Sequence, residues 1–80
     1  MSQFILLSDV TLHQKAKIVS FQNVTSRIKH KLIDMGLIKN TIVFIKKIAP
    51  LKDPVIVELR GYELALRKEE MKHIVVEVVK

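Results

Sequence analysis

Both prolines of the chain, Pro50 and Pro54, and one of its two glycines, Gly61, fall inside the stretch Ala49 to Glu70, A-P-L-K-D-P-V-I-V-E-L-R-G-Y-E-L-A-L-R-K-E-E. Each proline fixes its own φ and pushes the residue before it, Ala49 or Asp53, towards extended backbone, so the loop is stiff before any tertiary contact forms. Asp53 is a turn residue whose side chain suits hydrogen bonds to nearby backbone. Val55, Val57 and Leu59 then alternate with Ile56, Glu58 and Arg60, the period of a strand with one buried face. Gly61 permits the positive φ of a tight turn, and Tyr62, Leu64 and Leu66 return as a second apolar face. A rigid loop therefore feeds a β-hairpin, and the remaining chain must be arranged around it.

Upstream, residues 1–7 supply a short edge strand, Ser8-Asp9 begins a polar turn, and Ala16 to Phe21 reads as a strand bulged near Ser20. Thr25 or Ser26 caps a helix in which Ile28, Leu32 and Met35 recur at i, i+4 and i+7, and Gly36 stands where a left-handed cap ends it. Lys39-Asn40 is a turn into Thr41 to Ile48, apolar on both faces as a central strand is. Downstream of the hairpin, Lys68 to Lys72 forms one helical turn, with Glu69 and Glu70 at its start and Lys72 and His73 at its end, matching the helix dipole. Ile74 to Val79 closes the sheet. The fold class is mainly β: a small SH3-like, partly open barrel with one amphipathic helix and one short helix, in a single domain spanning 1–80.

Composition narrows the chemistry. A chain of 80 residues buries only roughly 60% of its unfolded surface, yet 49% of its residues are hydrophobic, so a compact core or a sticky surface must take up the excess. It has no cysteine, hence neither a disulfide framework nor a thiolate metal site. Nothing approaches the ~18 consecutive apolar residues of a membrane helix, and no signal-peptide core precedes the fold. With Gly36 and Gly61 as the only glycines there is no phosphate-binding loop, and no serine stands in a nucleophilic constellation. An enzyme is not expected. His30 with Asp34, and Glu69 with His73, are i, i+4 pairs able to share an ion, but two ligands make a weak surface site and neither pair is taken as a metal centre.

Three segments carry a resemblance: R-I-K-H-K-L-I-D-M-G-L-I-K-N-T at 27–41, A-P-L-K-D-P at 49–54 and R-G-Y-E-L-A-L-R-K-E-E at 60–70. In that order they resemble the ferrous iron transport protein A (FeoA) family, whose pattern is approximately R-L-x-x-L-G-[FLM]-x-P-G, then A-P-L-G-D-P, then G-x-x-[LI]-x-L-R. The resemblance extends from Leu7 to Val76. This chain departs from the pattern at Lys31, at Lys39-Asn40, at Lys52 where the loop glycine would stand, and at Leu12-His13 in place of an early Pro-Gly turn. Similar domains form the C-terminal module of iron-dependent DtxR-type repressors, but 80 residues leave no room for a winged helix, so a freestanding FeoA is expected.

The resemblance implies a cytoplasmic, non-catalytic partner of the membrane ferrous iron transporter FeoB, without a cofactor of its own. The contact residues expected are the proline loop, Pro50, Leu51, Lys52, Asp53 and Pro54, together with Leu37 and Ile38. A stiff loop loses little entropy on docking. By residue type, Leu32, Leu37 and Tyr62 belong more often to a core than to an interface. Arg27, Arg60 and Arg67 are candidate arginine fingers for the transporter's GTPase, with Arg60 at the hairpin tip the most exposed, although no sequence feature marks one. Exposed sheet edges permit a homo-oligomer.

The net charge of +6 also suits a nucleic-acid-binding barrel, with Lys29, Lys31, Lys39, Lys46 and Lys47 as its patch. The charge is spread along the chain, however, and Phe4, Phe21, Phe44 and Tyr62 sit in strand patterns that look buried. The transporter reading is therefore preferred.

Overall fold

The computed structural model describes residues 3–79, so Met1 and Ser2 of the expected first strand lie outside the described residues. Its elements are β1 (Phe4–Leu6), a 3-10 turn (Leu7–Asp9), β2 (Lys15–Phe21), α1 (Ser26–Asp34), β3 (Ile42–Ile48), β4 (Val55–Leu59), β5 (Tyr62–Leu66), α2 (Lys68–Met71) and β6 (Ile74–Val79). The strands form, among the described residues, one antiparallel six-stranded sheet in the order β1-β6-β2-β3-β4-β5. The buried side chains form one hydrophobic core, with Leu7, Ile18, Ile45, Leu66 and Ile74 fully buried alongside Leu32 of α1 and Met71 of α2.

Local sequence explains most boundaries. The Thr25 hydroxyl accepts the Ile28 N–H at 3.2 Å and starts α1. At the other end Gly36 takes φ +96°, its N–H donates to Ile33 and the Leu37 N–H donates to Leu32, a pattern that satisfies the last carbonyls of the helix. In α2 the Glu70 carboxylate accepts the Arg67 N–H at 2.9 Å.

Two bulges shape the sheet. The register of β2 against β6 shifts between Ile18 and Ser20, making Val19 the extra residue beside the expected Ser20. The register of β3 against β4 shifts between Ile45 and Lys47. That second bulge turns Lys46 and Lys47 both outwards, where strict alternation would hide one. β3 is a central strand as expected, between β2 and β4, but only one of its two apolar faces is buried: Val43 and Ile45 enter the core, whereas Ile42 is exposed and Phe44 half-buried. Phe44 instead stacks on His13, ring centroids 6.0 Å apart.

The turns that depart from the family pattern keep a glycine-like backbone. His13, Asn40 and Lys52 have φ of 66°, 73° and 69°. Arg60, beside Gly61, is also left-handed at 48°, so both central residues of the hairpin turn have positive φ. Tyr62 is not a core residue. It sits at the rim, exposed, with its hydroxyl donating to the Met35 carbonyl at 2.6 Å.

Candidate docking surface

The loop between β3 and β4 is held from inside and from outside. Inside it, the Ala49 N–H donates to the Pro54 carbonyl at 3.1 Å and the Lys52 N–H to the Ala49 carbonyl at 2.7 Å. Outside it, the Asp53 carboxylate accepts the Lys68 N–H at 2.9 Å and lies 3.6 Å from the Arg67 guanidinium. Asp53 therefore binds distant backbone at the start of α2, not the nearby backbone its sequence context suggests. Pro50 and Lys52 are exposed, Asp53 and Pro54 half-buried, and Leu51 stands at the apex with 90% of its surface exposed. An apolar side chain on a braced loop offers a contact that costs little ordering.

The second expected contact divides. Leu37 is fully buried and packs with Leu32 in the core, so its side chain is unavailable to a partner; the helix-ending geometry at Gly36 turns it inwards. Ile38, at 36% exposure, lines a groove of about 370 Å³ with Ile18, Val19, Ser20, Phe21, Lys29, Ile33 and Lys39. The proline loop and Ile38 are not one patch, because the seven residues of β3, roughly 20 Å of strand, separate them. The groove itself escaped the sequence reading. Its signal was the i, i+4 pair Lys29 and Ile33 on one face of α1.

The basic residues do not form one field. Lys46 is ion-paired with Glu63 of β5 and Glu58 of β4, which raises its pKa above the ordinary lysine value. Lys31 lies 3.1 Å from Glu70, and Lys29 stands 5.9 Å over the Phe21 ring. Arg60, the finger candidate, donates to the Thr41 hydroxyl at 2.8 Å and ties the hairpin tip to the start of β3. Glu69 is paired with Lys72 at 3.0 Å, and His73 meets the Gln22 carbonyl at 3.1 Å. No group of three or more potential metal ligands occurs among the described residues. Nor, among them, is any helix long and apolar enough to cross a membrane.

Comparison with known proteins converges on one family. The FeoA domain family model matches residues 5–78. A FeoA-like protein of Clostridium acetobutylicum is 39% identical, with the match covering all of this chain and 92% of that one at a TM-score of 0.90. The zinc complex of Stenotrophomonas maltophilia FeoA, described as a prokaryotic SH3 domain protein and a candidate activating factor of ferrous iron transport, is 29% identical. There the match covers 90% of this chain and 88% of that one, with a TM-score of 0.77. T. acidophilum IdeR, at 24% identity, 95% and 34% coverage and a TM-score of 0.83, shares the fold alone.

Proposed function

Because the chain belongs to the FeoA family, which is associated with ferrous iron transport, we propose that it is a non-catalytic accessory protein that docks on the cytosolic part of the membrane ferrous iron transporter FeoB and modulates uptake. In this reading the protein is cytoplasmic and its 80 residues act as one binding module.

The observation that carries the docking site is Leu51, 90% exposed on a loop fixed by its own hydrogen bonds and by Asp53. An isolated leucine in water gains by being covered, and a braced loop presents it with little further ordering to pay on docking. Lys52 beside it adds a positive charge suited to an acidic counterpart. The double variant Leu51→Ser with Lys52→Gly removes the apolar apex and the charge while touching no core residue. A pull-down with the transporter's cytosolic domain should lose most of its signal with this variant, and unchanged capture of a folded variant removes the loop from the account.

A further inference from the structure

We propose that the open edge of β2 at Val19–Phe21 is a docking site for an extended acidic segment of a partner protein, held by strand addition. This site lies beyond the far end of β3 from the proline loop and does not depend on it.

The edge arises from the topology. β2 pairs with β3 only over Lys15 to Lys17, and the next residue, Ile18, closes the ladder: its N–H donates to Thr41 at 2.9 Å and its carbonyl accepts from Asn40 at 2.8 Å. There the chain entering β3 swings away towards α1. Ser20 and Phe21 pair with Val75 and Ile74 of β6 on one side and, among the described residues, face no strand on the other. An open strand edge is a template for a further strand.

What lies beside this edge is a groove and not open solvent. Ile33 and Ile38 line the 370 Å³ space next to Val19–Phe21, giving an incoming strand apolar sites for alternate side chains. Lys29 and Lys39 stand at the same groove, and among the described residues no aspartate or glutamate lines it. Neither lysine takes part in an ion pair among the described residues. Lysines at a strand edge discourage pairing with like chains. The same two charges favour a strand that brings carboxylates, so the groove selects an occupant alternating apolar and acidic residues.

The test is a titration of the full chain with a labelled heptapeptide alternating valine and glutamate, followed by anisotropy and by amide NMR. Binding should shift the Val19, Ser20 and Phe21 amides, and N-methylation of alternate peptide amides should abolish it without altering the protein. Lys29→Glu combined with Lys39→Glu should weaken it about tenfold or more. Failure to bind, equal binding of a valine–lysine peptide, or binding that leaves those three amides unmoved overturns the proposal. Octanoate shifting the same three amides as strongly as the peptide does would give the groove to small amphipathic anions. A self-associated state in which the same amides shift would give it to a second copy of the chain. Either result would also overturn it.

Discussion

The Asp53 carboxylate accepts the Lys68 N–H at 2.9 Å across 15 residues of sequence, so the loop that exposes Leu51 and the helix that closes the core are fastened at one point. Asp53→Ala should destabilise the protein by about 1 kcal/mol, the usual effect of losing a helix-start acceptor. Asp53→Asn keeps an acceptor oxygen and should recover most of this. Urea denaturation measures both. The alanine variant should also dock more weakly, although Leu51 is untouched, because the loop is no longer braced.

Lys52 occupies a left-handed conformation at φ 69° that disfavours any side chain with a Cβ. Lys52→Gly should therefore stabilise the fold by about 0.5–1 kcal/mol, the steric relief exceeding the entropy glycine adds to the unfolded chain. Asn40→Gly should gain less, since asparagine tolerates this region. His13→Gly should be neutral or destabilising, because it forfeits the ring stacked on Phe44. A ranking by thermal melting checks the three together.

Residue type foretold the turns better than the burial. Val55, Val57 and Leu59 alternate into the core as their spacing requires, and Thr25 and Gly36 delimit α1. Leu37 was misplaced as a contact residue, although a glycine ending a helix turns the following apolar residue back towards the last turn, here with the Leu37 N–H donating to the Leu32 carbonyl and its side chain buried. The exposure of Tyr62 was not legible, since the same alternation places it in line with Leu64 and Leu66, and only its reach to the Met35 carbonyl holds it at the rim. The left-handed turns at His13 and Lys52 were marked by the family's glycines but not by the residues present. The i, i+4 pair Lys29 and Ile33 marked only the helical wall of the groove; its other wall depends on where β3 parts from β2, a long-range event without a local signature.

Gly36 and Tyr62 are matched by shape. A methyl group at position 36 would collide with the Tyr62 hydroxyl, in a backbone conformation that already favours glycine. Gly36→Ala should cost about 2–3 kcal/mol. Tyr62→Phe alone should cost about 1 kcal/mol for the lost hydrogen bond to Met35. The double variant should be more stable than the sum of the two, as a double-mutant cycle in urea would show.

Glu70 links α2 to α1. Partial burial acts to raise its pKa, but the Arg67 N–H and the Lys31 ammonium together outweigh that and hold the carboxyl below its ordinary 4.5. Since the folded pKa is depressed, this contribution to stability is fully present above the unfolded value and is lost as the pH falls through the folded one. The pH dependence of stability below about pH 5 should therefore flatten in Glu70→Gln, as urea midpoints measured between pH 6 and pH 3 would register.

The central claim is tested most directly by titrating the protein, at fixed salt, against the cytosolic domain of the ferrous iron transporter from the same organism, with a random DNA duplex as the competing partner. The account predicts saturable transporter binding that is lost with Leu51→Ser and Lys52→Gly, and only weak, steeply salt-dependent attachment to DNA. Tight DNA binding without transporter affinity, or transporter binding indifferent to the loop, would contradict it.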